Sequence, residues 1–423
     1  MRHHLLCRVT LVALLASSYT SVAGGSAAAA SGRHDLAPAE GSGYVALLPH
    51  RILDTRSGQG APAARVGANQ SLRLVVAGTG RVPATATAVV LNVTAVSPSA
   101  PSFVTVHPTG TPTPTASNLN LHPGVTTPNL VTVEVGDGGA VQIYNDSGRV
   151  DLVADVAGYY ASASTTGSDG FAPVQARLYD SRPGTSPDQN KGPLGPGGVV
   201  DLQVAGNVRG SLVPADASAV VLNVTGVQPS TDTLLRAYPT PGSGGIEVPL
   251  VSNLNLAAGT TAANLVVVVV GDAGRVRVRN DVGQTDAVVD LAGYYSRSAP
   301  GRFFPLSATR FLDTRRGTGA PARPLGPGQH LDLQVGGTGG IPAGSRVAVA
   351  NLTAVLPDNP TLLRAYPAEG AGVPLLSNVN LEAGQIRAGA AYFSLDTAGQ
   401  VRLRNDVGNV DALADVVGYF AGS

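Results

Sequence analysis

The chain has little charge, few aromatic rings and almost no cysteine. Among its 423 residues the single cysteine is Cys7, so the rest of the chain has no thiol for a disulfide or a metal site. Tryptophan is absent and aromatic residues make up 4%, which leaves few flat rings for stacking on sugars. The formal net charge is +0 and only 13% of residues are charged, so the molecule as a whole has no field that would attract nucleic acid.

Long apolar runs are also missing. No segment reaches the roughly 18 apolar residues that a transmembrane helix needs, so the sequence predicts no membrane span. Near the amino terminus, the basic residues Arg2 and Arg8 come before a short apolar run, and small residues follow it up to residue 30. This pattern is typical of a secretory signal peptide over residues 1–30. We therefore expect a protein that is secreted, extracellular or cell-wall associated, with a flexible leader over residues 31–43.

What the sequence does contain is one pattern that recurs three times. Its closing stretch occurs as Tyr144–Tyr160, Arg279–Tyr295 and Arg404–Phe420. A spacing of about 120 residues is too long for a propeller blade or a solenoid turn, so the pattern predicts three tandem domains. We name them repeat 1 (residues 44–160), repeat 2 (residues 171–295) and repeat 3 (residues 303–420), and the polar, glycine-containing stretches between them have the composition of linkers.

The apolar residues have a period of two in almost every segment. Short β-branched runs are separated by turn signals about every 8 to 12 residues, and no window has the periodicity of an amphipathic helix. We expect an all-β fold in which each repeat forms a β-sandwich domain of about eight strands. Two hairpins are predicted within it, over residues 131–144 of repeat 1 and residues 266–279 of repeat 2.

The motifs appear in the same order in each repeat. The ordered set Asp-Thr-Arg, Leu-Asn-Val-Thr, Ser-Asn-Leu-Asn and Asp-Val-x-Gly-Tyr-Tyr resembles a repeat domain of exported actinobacterial proteins, found alone or appended to cell-wall-directed enzymes. The resemblance covers nearly all of the chain after the signal peptide. It implies a location at the cell surface or in the extracellular matrix rather than a particular chemistry.

Each repeat opens with an Arg-x-x-Asp-Thr/Ser-Arg motif and closes with an aspartate. Because first and last strands commonly meet in a sandwich and a buried carboxylate needs a donor, we expect the closing aspartate to lie near an opening arginine. A binding site or a cation site on the same residues is the alternative interpretation. The predicted structural network comprises Arg51, Asp54, Arg56 and Asp155 in repeat 1, Arg177, Asp180, Arg182 and Asp290 in repeat 2, and Arg310, Asp313, Arg315 and Asp415 in repeat 3.

Repeats 2 and 3 carry arginines where repeat 1 has Thr105, Gln142 and Tyr144. Strand alternation puts neighbouring members on one face, where guanidinium groups could bind phosphate or carboxylate groups of a polymer. The alternative is a solvated face neutralised by acidic residues on adjacent strands. The candidate polymer-binding residues are Arg236, Arg277, Arg279, Arg364, Arg402 and Arg404.

The sequence predicts no catalytic residue, metal ligand or cofactor. No position carries histidine in all three repeats and no Gly-x-Ser-x-Gly motif is present, although a histidine cluster in repeat 1 alone stays open. We expect a non-catalytic surface or matrix protein that spaces or attaches other components. A binding module for cell-envelope polysaccharide is the alternative and a hydrolase comes third. The expected partner is cell-wall polysaccharide or another surface protein.

Overall fold

The computed structural model describes residues 40–184, 192–208, 211–241, 248–370 and 372–422. The predicted signal peptide, Cys7 and residues 31–39 of the predicted leader lie outside the described residues. Within those ranges the chain is built from strands β1 to β26, and the helical element recorded is a single 3-10 turn at Asp272–Gly274. The predicted all-β fold class is confirmed. The described ranges contain no helix with the length and apolar character needed to span a membrane.

The strands of repeat 1 are β1 (Ser42–Asp54), β2 (Gln70–Val75), β3 (Ala88–Val96), β4 (Ser102–Pro108), β5 (Leu119–Leu121), β6 (Thr127–Glu134), β7 (Ala140–Asn145) and β8 (Asp151–Ser162). Repeat 2 contains β9 (Gly170–Asp180), β10 (Val199–Gln203), β11 (Gly206–Val208), β12 (Ser211–Val213), β13 (Ala219–Val227), β14 (Thr233–Pro239), β15 (Leu254–Leu256), β16 (Thr261–Val269), β17 (Arg275–Asn280) and β18 (Asp286–Ser296). Repeat 3 contains β19 (Arg302–Asp313), β20 (His330–Gln334), β21 (Val347–Val355), β22 (Thr361–Pro367), β23 (Val379–Leu381), β24 (Ile386–Ser394), β25 (Gln400–Asn405) and β26 (Asp411–Ala421).

Each repeat forms two packed sheets with the same strand order. In repeat 1 one sheet runs β1-β8-β3-β6 and the other β2-β7-β4-β5. Repeat 2 has β9-β18-β13-β16 and β10-β17-β14-β15, with β11-β12 as an added pair, and repeat 3 has β19-β26-β21-β24 and β20-β25-β22-β23. This order is that of a jelly roll, an eight-stranded double sheet. We call the first sheet of each repeat the inner sheet and the second the outer sheet.

The two predicted hairpins are wrong in their pairing. In repeat 1, β6 pairs with β3 in the inner sheet, whereas β7 pairs with β2 and β4 in the outer sheet. In repeat 2, β16 and β17 are likewise divided between the two sheets. The turn residues lie where the sequence predicts them, but the turn crosses from one sheet to the other. Each strand has an apolar face for the sandwich interior in either arrangement, so alternation alone does not identify the partner strand.

The inner sheets are buried on both faces. In β3, Val89, Leu91 and Val93 pack inside the sandwich of repeat 1, whereas Ala88 and Val90 join a second cluster formed by all three repeats. Strands β13 and β21 are divided between a sandwich core and this shared cluster in the same way. The shared cluster places the three repeats around one common core, and the described residues from 40 to 422 belong to one compact unit.

The segments between the repeats are part of this packing. Tyr44 of β1 forms a bridge with Asp169, and Phe171 of β9 forms one with Gly301. Ser42, which lies inside the predicted leader, pairs with Phe303 of β19 and so joins two inner sheets. Backbone pairing of this kind holds the entry to each repeat against its neighbours, although the composition of these segments is that of linkers.

Candidate functional site

The structure brings the predicted network of repeat 1 together at the pairing of β1 with β8, where Arg51 lies opposite Asp155. Arg51 Nε donates to Asp155 Oδ1 at 3.0 Å and its Nη1 donates to Asp54 Oδ2 at 3.3 Å. Arg56 donates two further hydrogen bonds, of 2.8 and 2.7 Å, to Asp54. Arg51 therefore bridges the two carboxylates, and Arg56 neutralises that of Asp54.

The same arrangement recurs in repeats 2 and 3. Arg177 Nε donates to Asp290 at 2.8 Å, and Arg310 Nε donates to Asp415 at 2.5 Å. The remaining members, Asp180 with Arg182 and Asp313 with Arg315, are joined by pairs of bonds between 2.7 and 2.9 Å. The closing aspartates are 1 to 2% exposed. All the residues of the predicted network thus lie in one bonded set per repeat, directed at each other.

Sequence reasoning missed the role of the hydroxyl residue inside the opening motif. Thr55 donates its hydroxyl to Asp151 at 3.0 Å and accepts the backbone N–H of Leu152, also at 3.0 Å. Ser181 and Thr314 make the corresponding bonds in the other repeats. The signal was the restriction of this motif position to threonine or serine in all three repeats.

The opening aspartates have lowered pKa values. The hydrogen bond from Arg56 is the main cause at Asp54, and it lowers the pKa of that carboxyl to about 2. In repeat 3 the hydrogen bond from Arg315 is likewise the main cause, and it lowers the pKa of Asp313. At Asp180 burial raises the pKa, but the bonds from Arg182 and the charges of both arginines together outweigh it. The arginines therefore favour the ionised form of all three carboxyls.

The closing aspartates have raised pKa values, in contrast to the opening aspartates. Burial raises the pKa of Asp155, Asp290 and Asp415, and the bonds from the opening arginine offset this only in part. The offset is incomplete because the carboxylate loses more favourable interaction with water on burial than it gains from the arginine. The ion pair is therefore needed once the carboxylate is buried, although burial of the pair is itself costly.

Acid is expected to destabilise the protein only below about pH 4. A carboxyl with a lowered pKa contributes stability above its unfolded value of 3.8 and loses it as the pH falls toward about 2. The closing aspartates have raised pKa values, so they bind protons earlier in the folded state and add stability as the pH falls toward 3.8. Denaturant unfolding should give a free energy that holds or rises from about pH 7 to about pH 4 and then falls.

The control for this pH dependence is Asp54→Asn. This variant removes one carboxyl whose pKa is lowered from 3.8 to about 2. Because one pKa unit corresponds to about 1.36 kcal/mol, the variant should lose about 2 kcal/mol less stability than the parent below about pH 4. Two results would contradict the assignment of this pH dependence to the opening aspartates. One is a loss of stability in the parent protein that begins at about pH 6, and the other is an Asp54→Asn variant that loses as much stability in acid as the parent does.

The candidate polymer-binding arginines lie on the outer sheets and are paired with aspartates. In repeat 2, Arg236 lies opposite Arg279 and both bond Asp281, at 2.6 and 3.2 Å. Arg277 makes two bonds of 2.6 and 2.7 Å to Asp201 on the neighbouring strand. In repeat 3, Arg364 and Arg404 share Asp406 and Arg402 pairs with Asp332 in the same way. Every arginine of the two faces thus has an aspartate partner, although each face carries three arginines and two aspartates.

The repeated asparagines join neighbouring repeats, which sequence reasoning did not predict. The asparagine of Asn-x-Thr in each repeat donates to the backbone carbonyl of the serine in Ser-Asn-x-Asn of the next. Asn92 donates to Ser252 at 2.8 Å, Asn223 donates to Ser377 at 2.6 Å, and Asn351 donates to Ser117 at 2.6 Å. Because the third bond returns to repeat 1, the three repeats form a closed ring.

Two of the opening arginines also contact the neighbouring repeat. We call the contact region between two neighbouring repeats a seam. Arg177 Nη2 donates to the carbonyl of Leu375 in repeat 3 at 2.7 Å, and Arg310 Nη2 donates to the carbonyl of Thr115 in repeat 1 at 3.3 Å. The network inside a repeat is thus continuous with the contact to the next repeat. The motifs that recur in the sequence meet one another across the seams.

Two clefts lie at equivalent seams. One has a volume of about 410 Å³ and lies between the first strand of repeat 2 and the ends of β22 and β24 in repeat 3. The other, of about 200 Å³, lies between the first strand of repeat 3 and the ends of β4 and β6 in repeat 1. Ser394 lines the larger cleft and Glu134 occupies the corresponding strand position in the smaller one.

The histidines of repeat 1 do not form a metal site in the described part of the chain, where no group of three or more histidine, cysteine or acidic residues could hold an ion. His107 is buried and contacts the hydroxyls of Thr111 and Thr113 at 3.2 and 3.3 Å. Burial lowers the pKa of His107. This histidine is therefore a hydrogen-bonded part of the wall of the smaller cleft, where burial favours its neutral form.

No family model matches the chain, and no curated protein matches it. A solved structure described as "Life in the extremes: atomic structure of Sulfolobus Turreted Icosahedral Virus" is 11% identical, with 85% of this chain and 86% of that chain covered and a TM-score of 0.17. Another, described as "The Triple Jelly Roll Fold and Turret Assembly in an Archaeal Virus", is 8% identical, with 89% and 96% covered and a TM-score of 0.17. Scores at this level carry no argument, so the jelly-roll assignment rests on strand order alone.

Proposed function

We propose that the protein is a non-catalytic attachment module, exported to the cell surface or the extracellular matrix, that holds two matching faces in a fixed relation. The closed ring favours attachment over spacing, because repeats that return to the first repeat cannot extend a chain as a string of domains does. The internal use of the repeated polar residues favours a binding role over catalysis, since these side chains are committed to one another. Export itself rests on the signal-peptide pattern.

The observation that carries the proposal is the likeness of the outer sheets of repeats 2 and 3. Arg277 with Asp201 in repeat 2 corresponds to Arg402 with Asp332 in repeat 3, and both pairs have bonds of 2.6 and 2.7 Å. Leu250 is 86% exposed, and its counterpart in repeat 3 is 72% exposed. A leucine exposed to this degree gains from a partner that covers it. Repeat 1 has Gln142 and Thr115 at these positions.

Equivalent hydrogen bonds anchor the segment before the exposed leucine in both copies of the face. Arg236 donates to the carbonyl of Pro249, next to the exposed leucine of repeat 2, and Arg364 donates to the carbonyl of Pro374 in repeat 3. Two matching faces on one compact body suit a partner that repeats, because the second contact forms at a high effective concentration. The proposed partner is therefore a repetitive wall polymer or a surface array.

The test uses the whole chain and changes each face to the residues of repeat 1. Variants Arg277→Gln with Leu250→Thr and Arg402→Gln with Leu375→Thr would be compared with the variant that combines all four. Retention on teichoic-acid-containing walls is expected to fall by about 10²-fold when either face is removed, since avidity is lost, and to vanish when both are removed. Arg73→Gln, an exposed arginine of repeat 1, is the control. Full retention of the four-residue variant would refute the proposal.

A second candidate function is binding of anionic cell-envelope polysaccharide through the arginines themselves. It is favoured by Arg279 and Arg404, whose bonds to the shared aspartate are 3.2 and 3.3 Å and use one nitrogen each. The same retention assay at two salt concentrations separates the candidates. Guanidinium–phosphate binding should weaken as the salt rises past about 0.15 M, whereas contact through the exposed leucines should not. Release of wall fragments would instead support a hydrolase.

A further inference from the structure

Glu134 is an acidic residue without a partner in the smaller of the two seam clefts. It is the last residue of β6 and is half-buried in the cleft between repeats 1 and 3. Among the described residues no hydrogen bond or ion pair reaches its carboxyl group. Burial raises the pKa of Glu134, with no neighbouring charge to oppose the shift. An unpaired carboxylate in such a place costs free energy that a bound cation would recover.

The rest of the cleft suits the aliphatic part of a ligand. Its walls include Val106, Val133 and Leu306, with the Thr111 and Ser307 side chains as polar groups. The buried His107 is a poor source of the missing positive charge, because burial lowers its pKa and so disfavours the charged imidazolium. The volume of about 200 Å³ lies below the usual range of about 300 to 1,000 Å³ for drug-sized ligands, so a small group is required.

The carboxyl group is not needed by the jelly roll. Glu134 pairs with Ala88 in β3, and the equivalent pairs are Val269 with Ala219 and Ser394 with Val347. The same strand position therefore holds a glutamate, a valine and a serine in three repeats with the same strand order. The shared strand order therefore does not require a glutamate at this position.

We propose that this cleft binds an aliphatic ammonium or guanidinium group, with its charge against the Glu134 carboxylate and its alkyl chain against the apolar walls. The group belongs either to a free amine or to a lysine or arginine side chain of a partner. The inference goes beyond the attachment function, because the cleft lies at the seam of repeats 1 and 3 and includes none of the six outer-sheet arginines.

The experiment follows the glutamate carboxyl signals of the whole chain by carbon NMR. The sequence contains only five glutamates, Glu40, Glu134, Glu247, Glu369 and Glu382, so the signal of Glu134 can be assigned from Glu134→Gln. The probe is n-butylammonium, with n-butanol as the neutral control of the same chain length. We expect the Glu134 signal to move in a saturable way, with a Kd of about a millimolar for so small a ligand, and butanol to leave it in place.

Two variants separate ligand binding from folding. Glu134→Gln should keep the unfolding transition of the parent chain, because serine and valine occupy the equivalent positions, and should weaken probe binding at least tenfold, or about 1.4 kcal/mol. Glu369→Gln, which removes an exposed glutamate, should leave binding unchanged. A Glu134 signal that does not move up to about 50 mM probe, or that moves equally with butanol, would overturn the proposal.

The source of the ammonium group is decided by a second probe, the peptide Ala-Lys-Ala with blocked ends. Tighter binding of the peptide than of n-butylammonium would assign the cleft to a partner side chain, and tighter binding of the free amine would assign it to a small ligand. Both outcomes require that the Glu134 signal respond. Saturation at an unrelated glutamate in place of Glu134 would count against the cleft.

Discussion

Asp290→Ala is expected to lower the free energy of unfolding by about 3 kcal/mol, the lower end of the range for breaking a buried ion pair. Asp290 is 2% exposed and accepts bonds from Arg177 at 2.8 and 3.1 Å. Its removal leaves the arginine beside an empty, desolvated site. The loss stays at the lower end because Arg177 keeps Asp180, at 3.0 Å, and the carbonyl of Leu375. Denaturant unfolding of the whole chain measures the change.

The matched control is Asp201→Ala in the same repeat. Asp201 also pairs with an arginine through two short bonds, but its side chain is 28% exposed. An exposed pair contributes about 0 to 1 kcal/mol, so this variant should unfold almost as the parent does. Equal effects of the two variants would show that burial does not govern the network. An Asp290→Ala protein of unchanged stability that has lost wall retention would make the closing aspartates a functional site.

Phe420→Ala is expected to destabilise all three repeats together, by about 3 to 5 kcal/mol. Phe420 is 3% exposed and its ring stacks on Phe171 of repeat 2 at 4.6 Å. It also lies 5.8 to 6.3 Å from Tyr160, Tyr295 and Tyr392 in the shared cluster. Truncation leaves a cavity between repeats that a packed β core cannot close. Calorimetry of the variant should show a single unfolding transition at a lower temperature than that of the parent protein. No repeat should keep the transition temperature of the parent.

Phe103→Ala provides the comparison for this variant. Phe103 is a partly exposed residue of β4 whose ring lies 6.2 Å from Tyr144 in the same repeat. Its truncation removes contacts inside repeat 1 only, so the expected loss is smaller, about 1 kcal/mol. Separate transitions in the Phe420→Ala protein, with two repeats melting as in the parent, would mean that the shared cluster does not couple the repeats.

The sequence predicted where strands occur better than it predicted which strands pair with each other. The period of two in the apolar residues predicts strands, and each repeat has the expected eight-stranded double sheet, to which repeat 2 adds the pair β11-β12. The pairing of the Arg51 and Asp155 strands also follows from a general property of sandwiches, that first and last strands meet. The hairpins between β6 and β7 and between β16 and β17 do not form, because a turn signal marks a reversal without saying which sheet the next strand joins.

The candidate sites show the same division. Arg277 and Arg279 of repeat 2 lie on one face, as strand alternation requires, and so do Arg402 and Arg404 of repeat 3. The aspartates that pair with Arg277 and Arg402, however, lie on neighbouring strands that only the fold brings near. The position of Glu134 in a cleft was not predicted, because a single glutamate at the end of a strand has no motif around it. Its cleft exists only where repeat 3 meets repeat 1.

By itself the sequence determined the number of repeats, their all-β character and the order of motifs within each, since periodicity and turn chemistry act over a few residues. Only the tertiary structure decided that the repeats close into a ring. The apolar residues Ala88 to Leu91 are continuous rather than alternating, which indicates burial on both faces without naming what covers the second one. The cover is the inner sheets of the other two repeats, and such a contact depends on the shape of complete sheets rather than on neighbouring residues.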